Sequence, residues 1–342
     1  MKSPIKARPE PSLSAGNTGL GFDVLVVGSV NTDLVVPVPR LPQAGETVLG
    51  GDLQRIGGGK GANQAVAAAR LGSSTAFLGC VGADGFGQAR VAELESYGVA
   101  VGAVVNDPIR STGAALILVD KSGENVIAVS PGANAELAPS HVKGAAALFA
   151  ESSVLVCQLE VPLDTVQTAL NLARDHDMTT ILNAAPGNPK AIQLLAATDV
   201  LVVNRAEAEA LTEHRVSSLD TARTTAEALR KSVRRAAVLT LGAEGCLVAT
   251  SCEITHVPAW QVPAVDATAA GDAFVGALAA ALAHGKTVTD AAPFATAAAA
   301  ITVGRFGAQQ SLPTGEEVVA FLRNPPVATP AGSHHDGRVG ST

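Results

Sequence analysis

Six short apolar runs recur along the chain, most of them separated by helix-length segments, and this alternation constrains the fold more than any other feature. The runs lie in "DVLVVGSVNTD", "STAFLGCVG", "SSVLVCQLE", "MTTILNAAP", "TDVLVVNRAE" and "RAAVLTLGAEG". Each is continuously apolar, the pattern of a strand buried on both faces. Helical periods occupy Ala62–Arg70, Gly87–Tyr97, Leu163–Asp175 and Ser218–Lys231, and a long apolar helix followed by an alanine-rich one runs to about Val303. Strands alternating with helices predict an α/β fold of three layers with a mostly parallel central sheet. Ligands of such sheets gather beyond the carboxyl ends of the strands.

Two stretches break the alternation. Asp33–Ile56 and Arg110–Asn134 are β-rich, divided by turn signals such as Lys121-Ser122-Gly123-Glu124, with no helix between their strands. They predict a small β-sheet inserted into the α/β body as a lid, which would keep water from a reacting phosphate donor. The exposed edges of such a lid predict a homodimer in which two lids pair. Residues 1–21 and 324–342 read as disordered tails around one domain spanning 22–323, and His334 and His335 belong to the second tail rather than to a metal site. A net charge of −7 leaves no basic face for nucleic acid or an anionic membrane. With no apolar run of the roughly 20 residues a membrane helix needs, the expected setting is cytoplasmic. Cys80, Cys157, Cys246 and Cys252 form no close pairs and read as buried, reduced thiols.

The chemistry concentrates in two glycine-rich turns. "RIGGGKGANQAVAAARLG" (Arg55–Gly72) brings backbone close to a ligand, yet Lys60 is followed by Gly61 and Ala62, not by the hydroxyl a Walker loop needs for magnesium. "DATAAGDAF" (Asp266–Phe274) places Ala269, Ala270 and Gly271 at a helix start, where backbone N–H groups and the helix dipole favour an anion, with Asp272 in the first turn. Asn31 and Asp33 follow the first strand, Glu160 a middle one, and Asn204 and Glu207 another, while Lys60 and Asn63 come from the first glycine turn. Carboxylates and amides of this kind bind vicinal sugar hydroxyls, although each alone could be a cap or a turn residue.

Together with "PQAGETV", "GENVI", "NRAEAEALT" and "AAAAITVGRFGAQQSLP", the two turns resemble the signatures of the ribokinase-like (PfkB) carbohydrate kinases, in order from about Asp23 to Leu322. The resemblance implies ATP-dependent phosphorylation of D-ribose to D-ribose 5-phosphate. It assigns Asn31, Asp33, Gly58, Gly59, Lys60, Asn63 and Glu160 to the sugar, and Asn204, Thr240, Gly242, Ala243, Gly245 and Thr296 to the nucleotide. Asp272 becomes the base and Ala270 and Gly271 the anion turn. Glu207 would organise Mg2+ through water, and Asp266, Thr268, Thr302, Arg305, Gly307 and Ser311 match a K+ loop in which backbone carbonyls do much of the ligation. Ala267, Val275 and Thr296 depart from the family's common residues. Two other readings stay open: a kinase of deoxyribose, fructose or adenosine, and a sugar-binding sensor without catalysis.

Overall fold

The computed structural model describes residues 21–325, so the reading of the two tails, including His334 and His335, lies almost wholly outside the described residues. In chain order the strands are β1 (Phe22–Val27), β2 (Asn31–Pro37), β3 (Gln54–Gly58), β4 (Thr75–Leu78), β5 (Cys80–Gly82), β6 (Val99–Ala100), β7 (Val105–Asp107), β8 (Gly113–Val119), β9 (Asn125–Ser130), β10 (Ser152–Cys157), β11 (Thr179–Asn183), β12 (Val200–Asn204), β13 (Ala236–Thr240), β14 (Cys246–Ala249) and β15 (Ile254–Val257). Nine form the central sheet, in the order β15-β14-β13-β12-β11-β10-β1-β4-β6. All pairings from β6 to β13 are parallel, and β14 and β15 close the far edge antiparallel.

Alternate residues of each strand enter opposite cores, which is why the runs are apolar throughout. On β1, Val24 and Val26 belong to the core that takes in residues of the helices at 60–70, 270–283 and 288–303, whereas Leu25 and Val27 belong to the opposite core, with residues of those at 163–175, 205–212 and 219–232. Three layers result. The helices at 60–70 and 270–283 approach closely because Gly276 faces Ala67: a Cβ on Gly276 would lie 2.4 Å from that of Ala67. This contact brings the two glycine-rich turns of the sequence together.

The lid is a second sheet of order β3-β2-β8-β9. It grows directly from the carboxyl end of β1, and the parallel β2–β8 pair joins its two hairpin-like halves. Asp120 closes the β8–β9 turn by accepting from the amides of Ser122 and Glu124. Leu116, Val126, Ile127 and Val129 are each more than half exposed on the lid. A third, two-stranded sheet (β5, β7) is too short to leave a period in the sequence. Cys80, Cys157 and Cys246 are buried, with burial pushing each thiol pKa up. Cys252 departs from the expectation: it is exposed, because it falls in the polar turn between β14 and β15 rather than in a strand. Among the described residues no helix is long and apolar enough to cross a membrane.

Candidate active site

The polar groups converge at the carboxyl ends of β1, β10, β11, β12 and β13. Where β1 ends, the Ser29 hydroxyl donates to Glu160 Oε2 at 2.5 Å and accepts from the Gly61 amide at 3.2 Å. The Lys60 amide donates to the same Glu160 oxygen at 2.9 Å. Gly59, at φ +88, makes the turn between β3 and this helix, a conformation open to glycine and strained for other residues. Gly58 serves a different need: a Cβ there would stand 2.3 Å from Asp33 Oδ2, so the Asp33 carboxylate lies over bare backbone. Asn31 Oδ1 accepts from Asn134 Nδ2 at 2.7 Å, tying β2 to the chain after β9. Asp33 has no protein hydrogen-bond donor among the described residues. Burial and the Glu160 carboxylate push its pKa up to about 6, with Arg90 opposing and Asp272 adding to the rise.

Asp272 sits at the centre. Its Oδ2 accepts from Asn63 Nδ2 and its Oδ1 from Gln64 Nε2, both at 2.9 Å. Burial pushes its pKa up, while Lys60, Asn63 and Gln64 favour the ionised form. Conversely, the carboxylates of Asp272, Glu160 and Glu207 hold the half-buried Lys60 ammonium charged against desolvation. The Lys60 side chain therefore stands between the expected sugar and nucleotide groups. At the helix start the N-cap Ala269 takes a left-handed conformation (φ 60), and the Ala270 amide turns back to the Ala267 carbonyl at 3.2 Å. The donors left without a backbone partner are thus those of Gly271 and Asp272, one position further on than the sequence places them.

Three cavities meet here, sharing Ala267. One of about 740 Å³ lies under the lid, bounded by Asp33, Ile56 and Ile117 on one side and Asp266, Thr268 and Gly307 on the other. A slot of about 400 Å³ runs between Thr240, Gly242, Ala243 and Gly245 and the helix residues Phe274 and Thr296. Trp260, which the sequence did not single out, also lines it. The third, about 230 Å³, joins the slot to Asp272 and carries Lys60, Asn204, Glu207 and Gly271 on its wall. Asn204 and Glu207 cap the helix 205–212 reciprocally: the Asn204 side chain accepts from the Glu207 amide at 2.9 Å, and Glu207 accepts from the Asn204 amide and side chain at 2.8 and 2.9 Å.

In the expected cation loop, Asp266 Oδ1 accepts from the Thr268 amide at 2.9 Å and Oδ2 from the Gly307 amide at 3.0 Å. The side chains of Thr302 and Ser311 donate to backbone carbonyls, and Arg305 pairs with Glu317. Arg305 can therefore offer a cation only its backbone oxygen, whereas the Thr302 and Ser311 hydroxyls keep lone pairs beside their backbone carbonyls. Among the described residues no cluster of three or more His, Cys, Asp or Glu could hold a metal.

An alcohol bound under the lid and a nucleotide in the slot would flank the third cavity, which carries Asp272 on its wall, and this makes a site for phosphoryl transfer to a small hydroxylated molecule. Residues 22–315 match the model of the pfkB family of carbohydrate kinases, and the chain belongs to that family. It is 39% identical over 307 residues to the ribokinase of Schizosaccharomyces pombe, covering 87% of this chain and 96% of that one. It is 37% identical over 303 residues to the deoxyribokinase of Salmonella typhi, covering 88% and 99%. The structure of Arabidopsis thaliana ribokinase complexed with ribose and ATP superposes with a TM-score of 0.81 at 28% identity, covering 88% of this chain and 98% of that one. This chain is a carbohydrate kinase.

Proposed function

We infer that the chain phosphorylates D-ribose at its 5-hydroxyl with ATP, giving D-ribose 5-phosphate and ADP. The observation that carries this reading is Asp272, buried on the wall of the third cavity, which shares Ala267 with the lid cavity and the nucleotide slot, and held at both oxygens. The sugar hydroxyl oxygen bonds to the γ-phosphorus as the bond from that phosphorus to the ADP oxygen breaks, and the hydroxyl proton passes to Asp272. Phosphoryl transfer needs positioning and charge stabilisation more than covalent chemistry. Lys60 and the free amides of Gly271 and Asp272 supply the positive field for the transferring group. Asp33, Asn31, Asn63 and Glu160, with the backbone at Gly58 and Gly59, hold the sugar.

The metals are part of the same proposal. Each Glu207 oxygen accepts from Asn204 and keeps a lone pair, which suits a water-bridged Mg2+ on the nucleotide better than a direct ligand. When bound, that ion neutralises charge on the phosphates. One carboxylate, Asp266, beside loop carbonyls is a hard-oxygen set that fits K+. The apolar residues exposed on the lid support a homodimer through paired lids. ATP as co-substrate supports a cytoplasmic setting.

A second reading, 2-deoxyribose as the preferred sugar, is raised by the similar identity to the deoxyribokinase. Two acceptors without protein partners, the Asp33 carboxylate and the buried Asn63 Oδ1, favour a sugar that brings a 2-hydroxyl. A site built around a hydroxyl loses heavily when it is missing. ADP release measured across pentoses, hexoses and nucleosides tests this: kcat/KM is expected to be highest for ribose, and equal or better efficiency with 2-deoxyribose would overturn the assignment.

A further inference from the structure

Gln64 is fully buried, one residue beyond Asn63 on the helix 60–70. Its Nε2 donates to Asp272 Oδ1 at 2.9 Å and to Asn183 Oδ1 at 3.0 Å, and its Oε1 accepts from Gln158 Nε2 at 2.6 Å. Asp272 and Asn183 force this orientation, while Gln158 follows it, its own Oε1 being without a partner among the described residues. Asn183 is fixed because its own Nδ2 donates to the Val202 carbonyl at 3.2 Å, so it presents oxygen to Gln64. Gln158 presents NH2, a group that only donates. Turning the Gln64 amide over would set oxygen against Asn183 Oδ1 and the Asp272 carboxylate, and NH2 against NH2. A one-way run of donors therefore leads from the end of β10, through the helix, to Asp272.

We propose that Gln64 is a positioning residue for Asp272, fixing the plane of the carboxylate through the proton transfer; this rests on the reading of Asp272 as the base. Two oxygens held by two different side chains cannot rotate, so the remaining lone pairs keep one direction. The two holders differ in what they also touch. Asn63 is expected to take a sugar hydroxyl as well, so its bond is exposed to rearrangement as substrate enters and leaves. Gln64 faces only protein and is anchored on β10 and β11, so its hold does not depend on the substrate. In a buried network each amide bond made stiffens its neighbours, whereas a lost one leaves groups unpaired. The competing explanation is that Gln64 merely satisfies Asn183 and Gln158; that role would affect stability without reaching the base.

The charged groups facing Asp272 are Lys60 on the same helix as Gln64, Glu160 after β10, Asp33 in the lid and Glu207 on the helix 205–212. Removing the Gln64 donor leaves all four in place and takes away a bond that favours the ionised carboxylate. The acid limb of the kcat profile should therefore move to higher pH.

The test uses the full chain with ATP and ribose, Gln64→Met and Gln64→Glu beside the parent, with folding checked by thermal melting. The Met variant should lose roughly 10–100-fold in kcat, the scale of a lost supporting contact, with KM for ribose little changed and the acid limb raised. The Glu variant, with a second carboxylate beside the base, should raise the limb further. A folded variant with parental kcat and an unmoved limb overturns the proposal, as does a loss confined to KM. If neither folds, Gln158→Met removes only the anchor of Gln64: a smaller rise of the same limb supports the proposal, and an unmoved limb overturns it. Asp272→Asn separates the two levels. If it keeps turnover, the base assignment fails and takes this inference with it; if it loses turnover while the Gln64 variants behave as the parent, only this inference fails.

Discussion

Replacing Asp33 by Asn should make the protein more stable and a worse sugar binder at once. The carboxylate is pushed from 3.8 up to about 6 by burial and by Glu160. That is roughly 2 units at about 1.36 kcal/mol each, so ionised Asp33 destabilises the fold by about 2–3 kcal/mol once its solvent-facing side is allowed for. The sign follows from the raised value: stability is greatest below the unfolded value and is lost as pH rises through about 6. Asn never ionises, so the ligand-free variant should gain about 2–3 kcal/mol at pH 8, and only about a third of that at pH 4.5. Urea unfolding of both proteins at the two pH values measures this. KM for ribose should rise at least ~10-fold, since a hydrogen bond to a charged acceptor contributes about 1.5–3 kcal/mol. An Asn variant no more stable than the parent at pH 8, or one whose gain is the same at both pH values, would refute the reasoning.

Two further outcomes are expected. At fixed Mg2+, K+ should raise the rate over Na+, because Asp266 bridges Thr268 and Gly307 beside the helix start that carries Asp272; equal rates in K+, Na+ and no added monovalent ion would remove the cation site. Trp260 is the single tryptophan and lines the nucleotide slot, so ADP alone should change the intrinsic fluorescence saturably while ribose alone changes it far less; an unchanged signal at saturating ADP would place the base elsewhere.

How much of this was legible in the sequence depended on the range of the interaction. Apolar runs such as that of β1 are written locally, and so are Asn204 and Glu207, whose capping box spans three residues. Gly58 and Asp33 sit on neighbouring strands of one lid sheet, and their motif spellings located them. The amide chain was invisible because Gln64 meets Gln158, Asn183 and Asp272 only after two strands and two helices assemble, its partners 94 to 208 residues away. Lys60 was legible as a glycine-turn residue, but its place among three carboxylates is a tertiary fact. Ala270 was expected to offer its amide, and only the left-handed turn at Ala269 shows that amide bonding backwards. Trp260 carries no motif and became visible only as the wall of a cavity.

The central claim is that this site moves a phosphoryl group from ATP to the 5-hydroxyl of ribose with Asp272 as base. The direct measurement incubates the parent and Asp272→Asn with ATP and D-ribose, follows ADP release, and locates the transferred phosphate by NMR. The parent should release one ADP per ribose 5-phosphate formed, and the Asn variant should turn over ~10²–10⁴-fold more slowly while still binding both substrates. No ribose-dependent ADP from the parent, or an Asn variant within about threefold of it, well inside that general-base range, would contradict the account.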